Sequence, residues 1–210
     1  MTIYLDMDGV IANFFGAIEK RFKVNHWKSI QDREAAIASL RNTDFFDTIP
    51  IFREDKDGNI TTYGADLSSE IVNFVKKISN GDWGICTSPL KGDHNNSAYW
   101  KRRWLERTKF MPPLVENLII TSNKHKYAWN RLTKKPNILV DDRPDNIRRW
   151  IDAGGIGIVF QTNEEDIDIH NHQSGSMCYF RLKCAEISCH EGSQRCVKTL
   201  WNATKSSQVA

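Results

Sequence analysis

Ile3-Tyr4-Leu5-Asp6-Met7-Asp8-Gly9-Val10 sets the reading of the whole chain. Ile-Tyr-Leu is a short apolar run of the kind that forms a buried strand. The two aspartates and Gly9 mark the C-terminal tip of that strand turning into a loop, and open α/β sheets bind their ligands at such tips. Two carboxylates held close together repel each other unless a proton or a cation lies between them. Magnesium, which takes oxygen ligands and needs few carboxylates, is the expected cation.

Three later apolar runs end in the same kind of chemistry. Trp83-Gly84-Ile85-Cys86 finishes in Thr87-Ser88, Leu118-Ile119-Ile120 in Thr121-Ser122-Asn123-Lys124, and Asn137-Ile138-Leu139-Val140 in Asp141-Asp142-Arg143. Carboxylates, hydroxyls and an ammonium are the groups that handle phosphate. Singly, each has an ordinary structural explanation. Asp-x-Asp can cap a helix, Thr-Ser-Pro is common in loops, a lone lysine is usually solvated, and Asp-Asp-Arg-Pro can start a helix with a surface ion pair. Recurrence at four strand ends, which converge in one sheet, favours a shared site.

Helical periodicity fills the intervals. Ile11, Phe14, Phe15, Ile18 and Phe22 lie on one face, and a second helix is expected from Ser29 to Leu40. Asp55-Lys56-Asp57-Gly58-Asn59 reads as a hairpin turn between Ile51-Phe52-Arg53 and Ile60-Thr61-Thr62-Tyr63. The turn resembles half of a calcium loop but has no glutamate at the closing position. Further helices are expected over Leu67–Ile78, Ser97–Thr108, Lys126–Leu132 and Asp145–Ala153, and a last strand over Ile156–Phe160. The alternation implies an α/β fold, a three-layer Rossmann-like parallel sheet with a small, mainly helical cap inserted after the first strand. The expected division is a core of residues 1–11 and 67–161, a cap of 12–66, and a C-terminal extension, 162–210, without strong periodicity.

Composition narrows the function classes. A net charge of +3 is too small to argue for nucleic-acid binding on its own. No apolar stretch is long enough for a membrane span, and no signal peptide precedes the first strand, so a cytoplasmic protein is expected. Of five cysteines, four (Cys178, Cys184, Cys189, Cys196) crowd the C-terminal extension beside His170, His172 and His190. Their spacing matches no paired zinc pattern, and reduced thiols are the simpler reading.

Together, Asp6-Met7-Asp8-Gly9-Val10, Ile85-Cys86-Thr87-Ser88-Pro89, Lys124 and Asp141-Asp142-Arg143-Pro144-Asp145 resemble the haloacid dehalogenase superfamily of phosphatases, and within it the 5'(3')-deoxyribonucleotidases. The resemblance spans about residues 2–161. It implies a magnesium-dependent hydrolase that dephosphorylates nucleoside monophosphates through an aspartyl-phosphate. Asp6 would be the nucleophile, and Asp8 the acid/base that also offers its main-chain carbonyl to magnesium. Asp142 would be the second carboxylate ligand, and Asp141 would hold a metal-bound water or orient the site. Thr87, Ser88, Lys101 and Lys124 would bind phosphate, and Phe14 would pack against base or sugar, although its spacing equally suits a helix core. Trp27, Phe45 and Phe46 are candidates for the family's cap aromatics. The family carries an arginine two residues before the third-motif lysine, where Ser122 stands here.

The partner so implied is a small-molecule nucleoside monophosphate. Nucleic acid is less favoured, a homodimer is left open, and no membrane partner is expected. Two other readings compete: a phosphatase of nucleic-acid 3'-phosphate ends, using Lys101-Arg102-Arg103-Trp104 with Arg107 and Lys109, and a non-catalytic binding protein on the same fold.

Overall fold

The computed structural model describes residues 1–54, 60–61, 64–161, 178–181 and 186–189. The strands are β1 (Ile3–Leu5), β2 (Arg53–Glu54), β3 (Ile60–Thr61), β4 (Ala65–Asp66), β5 (Trp83–Thr87) and β6 (Leu118–Ile120). They continue with β7 (Trp129–Asn130), β8 (Lys135–Pro136), β9 (Ile138–Asp141), β10 (Ile156–Gln161), β11 (Cys178–Arg181) and β12 (Glu186–Cys189). The α-helices are α1 (Phe14–Phe22), α2 (Arg33–Ala38), α3 (Phe45–Thr48), α4 (Leu67–Ile78), α5 (His94–Thr108) and α6 (Pro144–Asp152).

Five parallel strands in the order β10-β9-β1-β5-β6 form the centre of the main sheet, as the alternating pattern of the sequence requires. Their side chains alternate between two cores with the period of a strand. Ile3, Leu5, Ile85, Ile138, Val140, Ile158 and Phe160 enter one cluster, joined by Leu67, Ile71, Val72 and Val75 of α4 and Trp104 and Leu105 of α5. Tyr4, Cys86, Leu139 and Val159 enter the other, with Ile147 and Trp150 of α6. Helices therefore cover both faces.

The described residues of the segment between β1 and α4 share the core of the sheet. Leu40, Phe45, Phe46, Ile49 and Phe52 belong to the same buried cluster as β1 and β5. Ser68 staples its two ends: its hydroxyl donates to the Ile11 carbonyl at 2.7 Å and accepts the Phe52 N–H at 2.8 Å. At its far side Trp104 Nε1 donates to the Ile49 carbonyl at 2.6 Å, and Asn96 Nδ2 to the Thr43 carbonyl at 2.9 Å.

Several elements depart from the sequence expectation. The helix expected from Ser29 to Leu40 is instead a 3-10 turn, Trp27–Ser29, followed by α2. Asp32 separates them, because its side chain accepts the Ala35 N–H and caps α2. The helix expected over Lys126–Leu132 is a 3-10 turn, Lys124–Tyr127, running into the β7–β8 hairpin. Asn130 Oδ1 accepts the N–H groups of Leu132 and Thr133, both at 3.0 Å, which closes a turn at the point where a helix would have continued. β2 and β3 pair antiparallel as expected, while β4 adds an unforeseen third strand on β2. The turn at 55–59, with Thr62 and Tyr63, lies outside the described residues. β11 pairs parallel with β10, and β12 antiparallel with β11, where the sequence showed no periodicity. Of the cysteine and histidine alternative, Cys184, Cys196, His170, His172 and His190 lie outside the described residues, while Cys178 and Cys189 are register partners on β11 and β12.

Candidate active site

The chain runs β1, β5, β6 in one direction across the sheet and then returns to place β9 and β10 on the opposite side of β1. That reversal leaves a crevice at the C-terminal tips of β1 and β9, where ligands of such sheets bind. Asp6 follows β1, Asp141 ends β9, and the Asp6 N–H donates to the Val140 carbonyl at 2.8 Å. Beyond Asp6 the chain folds back tightly. The Met7 carbonyl accepts N–H groups from Val10, Ile11 and Ala12. Gly9 permits this turn with φ +78°, and a Cβ there would lie 2.5 Å from Asp142 Oδ2. The glycine of the first motif thus makes room for a carboxylate of the last.

Oxygens of Asp6, Asp141 and Asp142 lie within 4.8 Å of one another, a group of donors able to hold a metal ion. Lys124 Nζ enters from the tip of β6, 2.8 Å from Asp6 Oδ2 and 2.6 Å from Asp141 Oδ2. Asp141 is further held by the Arg143 N–H at 2.9 Å and by Asn146 Nδ2, which reaches both its oxygens at 3.1 and 3.0 Å. Burial, then the neighbouring carboxylates Asp141 and Asp6, push the Asp142 carboxyl well above the usual range. Burial and then Asp6 raise Asp141 against the opposing charge of Lys124. Burial disfavours the Lys124 ammonium, but Asp6 and Asp141 outweigh it and raise its pKa.

Asp8 faces a second cation. Lys101 Nζ lies 2.5 Å from Asp8 Oδ2 and 3.0 Å from Thr87 Oγ1, and sits 4.8 Å from the centroid of the Phe46 ring. Lys101 is fully buried. A buried ammonium is tolerated only when paired and hydrogen-bonded, and these contacts meet that need. Asp8 Oδ1 is buried without a hydrogen-bond partner. Burial raises the Asp8 carboxyl, with Lys101 opposing and Asp6 adding to the rise.

The structure therefore brings Asp6, Asp141, Asp142 and Lys124 together, and Asp8, Thr87 and Lys101 beside them. Ser88 is half-buried next to Thr87. The carboxylate group that converges is Asp6, Asp141 and Asp142, whereas the Asp8 side chain turns to Lys101. Phe14 joins an aromatic cluster, stacked on Phe46 at 6.2 Å and edge-on to Phe45 at 5.9 Å. Trp27 stacks on Phe15 at 5.2 Å, and Ser122 is exposed.

Of the basic run on α5, Arg102 and Arg103 are exposed and Lys101 alone turns inward. Its burial was legible in the spacing: Ser97, Lys101, Trp104 and Leu105 form the buried stripe of α5, at intervals of four, three and one. Asn146 was not foreseen. Only its place five residues after Asp141, one turn into a helix, hints at it.

Four carboxylates (Asp6, Asp8, Asp141, Asp142) face two ammonium groups (Lys101, Lys124), an excess of two negative charges when all are ionised. That deficit, an all-oxygen donor set and the unpartnered Asp8 Oδ1 fit a hard divalent cation such as magnesium.

Comparison with known proteins adds a likeness in sequence. No family model matches the chain. The mitochondrial 5'(3')-deoxyribonucleotidase of Mus musculus is 26% identical over 166 residues, covering 69% of this chain and 66% of that protein. The mitochondrial 5'(3')-deoxyribonucleotidase of Homo sapiens is 28% identical over 154 residues, covering 69% of this chain and 63% of that protein. The chain thus spans 63–66% of the length of the relatives it matches, and over that span it is similar to 5'(3')-deoxyribonucleotidases.

Proposed function

We propose that the chain is a magnesium-dependent phosphomonoesterase of the haloacid dehalogenase superfamily, acting on nucleoside monophosphates through an aspartyl-phosphate. The observation that carries this reading is the convergence of Asp6, Asp141 and Asp142 with Lys124 at the crevice where the strand order reverses. Similarity to two deoxyribonucleotidases supports the substrate class. Residues 12–66 act as the cap over the crevice, and Phe46 of that segment meets the site through Lys101, whose Nζ lies 4.8 Å from the Phe46 ring centroid.

In this reading an Asp6 carboxylate oxygen attacks phosphorus, the P–O bond to the nucleoside breaks, and Asp8 gives a proton to the departing oxygen. Asp8 then takes a proton from water as that water attacks phosphorus, and the bond to Asp6 breaks to release phosphate. Lys124, Thr87, Ser88 and Lys101 hold the phosphoryl oxygens. Lys101 pairs with Asp8 before substrate arrives, so phosphate binding gives this ammonium a second anion. Asp6, Asp142 and the Asp8 main-chain carbonyl would hold magnesium, with Asp141 fixed behind them by Lys124, Arg143 and Asn146. When bound, magnesium neutralises charge on the transferring phosphoryl group.

The test is phosphate release from a panel of nucleoside monophosphates, sugar phosphates and 3'-phosphorylated oligonucleotides. Magnesium-dependent turnover of the monophosphates, abolished in Asp6→Asn and by EDTA, is the expected result. Turnover confined to oligonucleotide ends would move the reading to nucleic-acid repair chemistry. Folded protein inert on every substrate would overturn it.

A further inference from the structure

A second surface stands out at the opposite end of the sheet. From Leu118 to Val140 the sequence contains no Asp or Glu, yet it carries Lys124, Lys126, Arg131, Lys134 and Lys135 with His125. Lys124 is consumed by the carboxylates of the site. Lys126, Arg131, Lys134 and Lys135 are exposed, and among the described residues none forms an ion pair. Aromatic side chains are interleaved with them: Tyr127 is 41% and Trp129 45% exposed, and Leu132 in the turn is 95% exposed. β8 leads into the first residue of β9, and the Asn137 N–H donates to the Ala128 carbonyl at 2.8 Å. The hairpin therefore lies at the N-terminal edge of the sheet, away from the strand tips that carry Asp6 and Asp141.

Charge selects among occupants for this face. A second copy docked by the same surface would set Arg131, Lys134 and Lys135 against themselves. A lipid surface would take its deepest aliphatic anchor from Leu132 at the turn, flanked by Arg131 and Thr133, and a single leucine is a small anchor. Half-exposed aromatic faces that alternate along the chain with cations forming no ion pair among the described residues match a strand that offers bases and phosphates in alternation. We propose that the β7–β8 hairpin, with Lys126 and Tyr127 of the 3-10 turn that leads into it, is a docking surface for single-stranded nucleic acid. Bases stack on Tyr127 and Trp129, and phosphates meet Lys126, Arg131, Lys134 and Lys135. The surface is separate from the phosphatase reading and stands without it.

The test is fluorescence anisotropy with an internally labelled oligodeoxythymidylate bearing hydroxyl groups at both ends, in EDTA, across a salt series. Without a terminal phosphate or a metal, the strand-tip site contributes nothing, so the outcome is independent of turnover. Binding should weaken about tenfold in Trp129→Ala and stay near wild type in Trp129→Phe, which keeps an aromatic face and checks folding. In Lys134→Ala with Lys135→Ala the slope of log K against log salt should become shallower by about 1.4, roughly 0.7 for each phosphate that is no longer neutralised. Leu132→Ser should leave binding unchanged. Absence of binding at low salt, or affinity untouched by both the Trp129 and the lysine variants, would overturn the proposal. So would binding to anionic phospholipid vesicles that is stronger than binding to the oligonucleotide and is lost in Leu132→Ser.

Discussion

Gly9 and Cys86 illustrate how much a single position carries. An L side chain at the φ of +78° found at Gly9 costs about 1–3 kcal/mol, and its Cβ would displace the Asp142 carboxylate. Gly9→Ala should therefore lower the Tm and also abolish the Tm rise on adding Mg2+, measured by differential scanning fluorimetry with and without EDTA. Cys86 lies one residue before Thr87 on the opposite face of β5, and burial pushes its thiol up to about 12. The thiolate is the reactive form, so at pH 8 the native protein should leave Cys86 unalkylated by iodoacetamide while unfolded protein is labelled fully, read by peptide mass spectrometry. Alkylation of folded protein at Cys86 would contradict the packing of the second core.

Elements show where local pattern and tertiary context compete. α4 matches its expected bounds, Leu67–Ile78, because amphipathic period and cap coincide: Asp66 accepts the Ser69 N–H at 2.9 Å, and Asn80 and Gly81 leave the helix with positive φ. Lys126–Leu132 fails as a helix because Asn130 captures two backbone N–H groups that a helix would need. The staple at the start of α4 joins three segments through one hydroxyl. Ser68→Ala would leave the buried Phe52 N–H and Ile11 carbonyl without that hydroxyl, at about 1–3 kcal/mol. Urea unfolding should show a lower midpoint with an unchanged m-value; an unchanged midpoint would mean that the staple contributes nothing.

For the molecule entire, the site is a store of repulsion. Burying Asp142 among Asp141, Asp6 and Asp8 opposes folding in the absence of a cation, so Asp142→Asn should raise the Tm in EDTA. In the parent protein Mg2+ at a hundredfold excess over Kd should add about 2.7 kcal/mol, roughly 5–10 °C. That rise should vanish in Asp142→Asn. A Tm in EDTA below that of the parent would show that Asp142 serves the fold rather than the ion.

The strands and their polar tips were readable in the chain because period, flanking turn residues and tip chemistry are local properties. Asp6, Thr87, Lys124 and Asp141 could be picked out by their place after an apolar run. The direction each carboxylate faces could not, because Asp8 turns to Lys101 across 93 residues of sequence and Asp141 is fixed by Lys124 and Asn146. Nor could the strand order, in which β9 takes the far side of β1, or the addition of β11 and β12. Backbone periodicity is written in neighbours along the chain, whereas lateral strand order and charge pairing are settled by burial and Coulomb energies between residues that meet only after folding.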